Sequence, residues 1–169
     1  MLTIEEQLGA AKGLPVALTW APHIKPIPHC VANSFAQWMN AWQAADFFIT
    51  HPEGYELDEK FTKNATVITN QDEALKSADY VYVKNWSSYK DYGKLHENAP
   101  GWMLTKDKLK LTNNAKVMHC LPVRRNVELS DEVLDSTNSI VTQQAANRVW
   151  AAQAVISTLL ASPKGGIKP

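Results

Sequence analysis

Apolar and polar positions alternate along the chain in two rhythms. Short apolar runs at 15–20, 47–50, 66–69, 80–83, 115–118 and 139–141 have the length and bounding turn residues of buried strands. The stretches between them carry helical spacing. The clearest is Phe35, Trp38, Met39 and Trp42, at i, i+3, i+4 and i+7 behind an Asn33-Ser34 N-cap. Such an aromatic stripe reads as core packing. Shorter helices are expected at 57–63, 72–77, 105–110 and 130–134. At the start, Thr3 and Glu6 have the spacing of a capping box and open a helix that Gly13 would stop. A long helix at 143–160 carries Val149, Ala152, Val155, Ile156, Leu159 and Leu160 on its apolar side, with a loose tail from Pro163. Strands alternating with helices predict an α/β fold: a doubly wound, mainly parallel sheet with helices on both faces.

Two segments break the rhythm. Residues 21–29 contain Pro22, Pro26 and Pro28, which exclude both helix and ladder and predict a stiff, extended loop. His23, Lys25 and His29 on that loop serve equally well as ligand contacts or as solvated loop residues. Residues 87–102 are polar, aromatic and aperiodic, a surface loop with short helical turns.

Composition narrows the partners. Seventeen basic residues balance seventeen acidic ones, so no overall field recruits nucleic acid or an anionic membrane. No apolar run approaches the roughly 18–20 residues of a membrane span. The first residues lack the basic and apolar regions of a signal peptide. Cys30 and Cys120 are far apart, without CxxC spacing, and read as free thiols. One soluble, cytoplasmic domain is expected.

In parallel α/β sheets, ligands bind outside the carboxyl ends of the strands. His23 follows the first strand, and Lys84, then Asn85 and Trp86, follow the fourth. The run His119-Cys120-Leu121-Pro122-Val123-Arg124-Arg125-Asn126 follows the fifth, and Arg148 stands early in the last helix. Pro122 biases Leu121 toward an extended conformation, leaving carbonyls free to accept from an amine. Either arginine suits a carboxylate or phosphate. The plainer alternative is a strand-end turn with a core cysteine. Neighbours on an extended chain face opposite ways, which argues against His119 activating Cys120 as a nucleophile. His23, His119 and Cys120 lack the local spacing of a zinc site, and there is no GxGxxG or P-loop lysine. The chemistry is that of binding and orienting a small polar substrate, without a complete phosphate cradle.

The His119-Cys120-Leu121-Pro122 run resembles the HCLP signature of the ornithine transcarbamylases. With Val123-Arg124-Arg125-Asn126-Val127 it is similar to the N-acetylornithine and N-succinylornithine branch. Leu2 to Glu6 resembles that family's interdomain helix. Leu18-Thr19-Trp20-Ala21-Pro22-His23, Val31-Ala32-Asn33-Ser34, Leu111-Thr112-Asn113-Asn114 and Ala146-Asn147-Arg148 match further stretches. Ordinary ornithine enzymes carry a Ser-Met-Gly loop where this chain has Lys84-Asn85-Trp86-Ser87-Ser88. The resemblance implies carbamoyl transfer from carbamoyl phosphate to the δ-amine of an N-acylornithine, in arginine biosynthesis, by a homotrimer needing no cofactor or metal. It assigns His119, Cys120 and Leu121 to catalysis and Cys120, Leu121 and Arg148 to carbamoyl phosphate. His23, Lys84, Leu121, Arg124 and, weakly, Glu128 are assigned to acylornithine; some relatives have a carboxylated lysine at the last position. It divides the chain into a linker helix (1–13), an amino-acid-binding domain (14–142), a helix that packs on a carbamoyl-phosphate domain (143–162) and a tail (163–169). That first domain, with its Ser-x-Arg-Thr and His-Pro-x-Gln segments, has no counterpart here. The resemblance also implies a knotted path. The alternatives are a non-enzymatic ligand-binding or assembly module, an ordinary ornithine carbamoyltransferase, and an unrelated thiol enzyme.

Overall fold

A computed structural model describes residues 1–8, 14–42 and 46–161. The Gly13 helix stop and the tail fall outside them. Five strands form one parallel sheet: β1 (Val16–Trp20), β2 (Phe47–Thr50), β3 (Thr66–Ile68), β4 (Tyr80–Lys84) and β5 (Lys116–Met118). Their order is β3-β2-β1-β4-β5, so the winding reverses between β1 and β4. Such a reversal opens a crevice at the carboxyl edge, because the connections leave in opposite directions.

The helices are α1 (Leu2–Leu8), α2 (Cys30–Trp42), α3 (Glu59–Thr62), α4 (Gln71–Leu75), α5 (Lys106–Leu109), α6 (Asp131–Leu134) and α7 (Val141–Ala161), with a 3-10 turn at Ala99–Trp102. Strand alternation splits the core in two. Val16, Leu18, Trp20, Phe47, Ile49, Tyr80, Tyr82 and Met118 meet Ile4 and α2 on one face. Ala17, Val81, Val83 and Val117 meet Leu75, Leu109, Leu129 and Val133 on the other. Every residue of β1 and β4 is buried, which is why both strands read as continuous apolar runs.

Four local expectations need correction. Helix α2 begins at Cys30, with the His29 carbonyl accepting from the Asn33 amide, so Asn33 and Ser34 lie inside it. Pro28 simply precedes the first turn, where no donor is missed. Trp38 is 63% exposed, and Ala32, Phe35, Ala36 and Met39 form the buried face instead. Thr3 and Glu6 make no capping box: the Met1 carbonyl starts the helix, and both side chains accept from Asn147 of α7, at 3.0 and 2.7 Å. Residues 139–141 form no strand. Ser139 makes one isolated bridge to Val117, and α7 starts at Val141, before a ladder can extend. Among the described residues, no helix is long and apolar enough to cross a membrane.

Candidate functional site

The carboxyl edges of β1, β4 and β5 bring three sequence-distant segments together. Ala21 continues β1 and donates its amide to the Lys84 carbonyl. The Asn85 side-chain amide donates to the Ala21 carbonyl at 2.7 Å. Trp20 Nε1 donates to the Trp86 carbonyl, and Trp86 Nε1 to the Tyr55 carbonyl, each at 2.7 Å. The Ser87 amide reaches the Ile27 carbonyl at 2.9 Å. Of these candidate ligand groups by position, Asn85 is therefore a buried tie between the start of the proline-rich loop and the exit of β4, and Trp86 a buried tie from that exit to β1 and Tyr55. Further out, His29 stacks on Tyr89, ring centroids 3.8 Å apart.

Lys84 ends β4 and is only 7% exposed. His23 and Arg124, separated by 101 positions, meet across the crevice, with Arg124 Nε donating to His23 Nε2 at 3.3 Å. His23 Nδ1 lies 2.8 Å from the Lys25 carbonyl and 3.1 Å from the Lys25 amide; with Nε2 accepting from Arg124 the ring proton sits on Nδ1 and faces the carbonyl, which leaves the Lys25 amide no acceptor there. The second arginine behaves differently. Arg125 grips Asp135 with both terminal nitrogens and Asp131 with one, at 2.7–2.8 Å. Asn126 exchanges hydrogen bonds with Asp131. Of the adjacent pair, only Arg124 presents its guanidinium to the crevice.

Residues 119–128 form the centre of the site. Leu121 is not extended: its φ is +51°, and the Leu121–Pro122 bond is cis. A side chain two residues back, itself held by Glu128, overrides the bias from Pro122. The Leu121 amide donates back to His119 Nδ1 at 3.0 Å, pulling the chain into a tight turn. With Nδ1 an acceptor, the ring proton is on Nε2, which donates to Glu128 Oε1 at 3.1 Å. Glu128 Oε2 accepts from the Arg124 amide at 2.9 Å. His119 and Glu128 are both fully buried. Both His119 ring nitrogens are thereby engaged, one by the Leu121 amide and one by Glu128. Cys120 is half-buried and packs on the cluster that holds Tyr82. Burial foremost, and then the neighbouring thiol, push the Tyr82 hydroxyl well above its ordinary range. Arg148 is exposed on α7. The structure thus gathers His23, Lys84, Leu121 and Arg124 along the sheet edge, and puts Glu128 beneath them.

Burial alone would raise the Glu128 carboxyl. The His119 bond, the Arg124 amide and the charge of Lys84 outweigh it and hold the group below its ordinary 4.5. The unfolded chain therefore takes up this proton first as pH falls. The stabilisation is complete above about pH 4.5 and is lost as pH drops through the folded value. Urea midpoints of wild type and Glu128→Gln, measured over a pH series, are expected to converge on acidification. A gap that stays constant or widens would contradict this.

Sequence reasoning did not find the Glu128 anchor, the Asn85 tie or Gln71, whose buried amide bridges Thr19 and the Trp102 carbonyl at 2.8 and 3.0 Å. The Asn85 and Gln71 contacts join distant segments, and the Glu128 anchor depends on the turn that folds residues 119–128 back on themselves, which no local pattern encodes.

Residues 29–159 match the family model of the aspartate/ornithine carbamoyltransferase Asp/Orn binding domain. The chain is 48% identical over 162 residues to an N-succinylornithine carbamoyltransferase of Bacteroides fragilis, covering 95% of this chain and 50% of that protein. It is 32% identical to an N-acetylornithine carbamoyltransferase of Xanthomonas campestris, covering 94% and 52%. A crystal structure of N-acetyl-L-ornithine transcarbamylase superposes with a TM-score of 0.85 at 31% identity, covering 94% of this chain and 54% of that one. A variant of that enzyme complexed with carbamyl phosphate and N-succinyl-L-norvaline gives 0.86 at 31% identity, covering 94% and 53%. The chain spans about half the length of the curated relatives it matches.

Proposed function

Because the chain belongs to the aspartate/ornithine carbamoyltransferase family, we propose that it is the amino-acid-binding half of an N-acylornithine carbamoyltransferase. The reaction is attack of a neutral δ-amine on the carbamoyl carbon of carbamoyl phosphate. A C–N bond forms, the C–O bond to phosphate breaks, and the amine loses a proton. In this reading Leu121 orients the amine through its carbonyl, and Cys120 packs against the carbamoyl group. Lys84 takes the anionic end of the amino acid, and Arg148 takes the phosphate. The enzyme serves arginine biosynthesis in the cytoplasm, as a trimer.

The observation that carries the reading is the Arg124–His23 pair at the winding reversal. A guanidinium held at the crevice mouth, with its neighbour Arg125 committed elsewhere, suits the carboxylate of a succinyl group. The higher identity to the N-succinylornithine relatives supports that choice over an acetyl group. The exposed apolar row of α7 (Val149, Val155, Ile156, Leu159, Leu160) suits burial against a carbamoyl-phosphate-binding half.

On its own, this stretch binds acylornithine weakly and transfers nothing, because Arg148 alone does not supply the several fixed donors that the departing phosphate needs. Mixing it with a separately purified carbamoyl-phosphate domain of a relative is expected to produce N-acylcitrulline. The product is read by mass, with N-succinyl-, N-acetyl- and free ornithine compared. Product from the chain alone, or equal rates with free ornithine, would overturn the proposal. Tight acylornithine binding with no transfer in any mixture would favour a ligand-binding module.

A further inference from the structure

The loop from His119 to Ser130 carries both groups assigned above to the two ends of the substrate: the Leu121 carbonyl and the Arg124 guanidinium. Its own geometry shows how they are held. The amides of these two residues both end on side chains, Leu121 on His119 and Arg124 on Glu128. Those two side chains are fully buried and bonded to each other at 3.1 Å. Leu121 occupies the left-handed region, which a leucine rarely adopts and which persists only when its surroundings impose it. The imposing contact is the His119 acceptor, and its orientation is set in turn by Glu128.

We infer that Glu128 is a positioning residue that fixes both ends of the acylornithine site at once without touching the ligand. One oxygen acts through His119 on Leu121, and the other acts directly on the backbone of Arg124. The inference rests on the reading of this segment as an acylornithine site. It changes the role suggested for position 128 from contact to support. A carboxylate is required because both partners are donors: the His119 Nε2–H and the Arg124 N–H. Glutamine would turn an NH2 toward one of them and leave two donors facing. Aspartate is a methylene shorter and spans only one of the two bonds.

The test uses the 169-residue chain and N-succinyl-L-norvaline as probe, with affinity followed by NMR titration. Glu128→Gln is expected to weaken binding at least about tenfold, the loss of one charge-assisted hydrogen bond. Ile49→Val, a core truncation in β2, serves as a stability control and is expected to bind like wild type. If wild type does not bind the probe, the functional reading fails. If wild type binds and a folded Glu128→Gln binds within about twofold, which is under 0.5 kcal/mol, the positioning role is overturned. A merely structural role predicts that Ile49→Val and Glu128→Gln lose affinity in proportion to stability. Should Glu128→Gln not fold, the wild-type His119 ring nitrogens decide. Nε2 protonated and Nδ1 unprotonated, with a slowly exchanging Leu121 amide, is the expected result. An Nδ1–H tautomer overturns the inference.

Discussion

Replacing Arg124 by alanine is expected to weaken binding of a succinylated amino acid by roughly 10–150-fold, the loss of a hydrogen bond to a charged group. Binding of the acetylated analogue should change much less. Arg124 faces the crevice, meets His23 at 3.3 Å, and lies on a loop whose backbone is anchored at its own amide. A guanidinium prepositioned in this way loses little entropy when a carboxylate arrives, and its planar fork binds both oxygens. Lysine at this position keeps the charge but not the fork, so it should recover only part of the affinity. Arg125→Ala should have a smaller effect, because that side chain is already spent on Asp131 and Asp135 at the solvent-exposed side of the loop. Calorimetric titration of each variant with both ligands provides the comparison. Equal losses for the succinyl and acetyl ligands would remove Arg124 from acyl recognition.

Trp86→Ala is expected to cost about 3–5 kcal/mol, the usual range for emptying a large aromatic site in a core. Domains of this size are stable by about 5–15 kcal/mol, so most of the margin goes. Trp86 is fully buried, donates to the Tyr55 carbonyl and offers its own carbonyl to Trp20. It thereby joins the exits of β1, β2 and β4, the strands that frame the crevice. Phenylalanine fills part of the volume but leaves the Tyr55 carbonyl without its donor, a separate cost of about 1–3 kcal/mol. Trp86→Phe should therefore fall between wild type and alanine. Urea denaturation followed by far-UV circular dichroism tests the order. An alanine variant within 1 kcal/mol of wild type, below the range for such truncations, would show that the tie does not bear on stability.

The residue patterns and the structure agree where physics is local, and part where it is not. Burial on both faces of a parallel sheet demands continuous apolar runs, so the central strands β1 and β4 were legible from hydrophobicity alone, while the largely exposed edge strand β3 was legible only from its β-branched residues between turns. The helix expected at 105–110 forms at Lys106–Leu109, where the Thr105 hydroxyl accepts from the Lys108 amide. The strand-end placement of His23, Lys84 and His119 followed from the same periodicity, because a run that ends must end at an edge. The Trp38 stripe misled, since helical spacing names a face but not what covers it. The run at 139–141 misled because an apolar triplet reads alike as a strand and as the buried start of a helix.

What only the tertiary structure decided is the division of labour within the signature. Residue type and spacing could not separate Arg124 from Arg125, which only the family resemblance singled out, because the difference lies in Asp131, Asp135 and a histidine 101 positions away. Nor could they place Leu121 at positive φ, since a neighbouring proline argues for an extended chain, and the His119 ring that accepts the Leu121 amide is aimed there by the buried Glu128 nine positions on. Local propensities amount to fractions of a kcal/mol per residue, whereas a buried donor left unpaired costs about 1–3. The chain's own letters determined which residues reach the sheet edge. The buried side chains of His119 and Glu128, which accept the amides of Leu121 and Arg124, decided where those residues point.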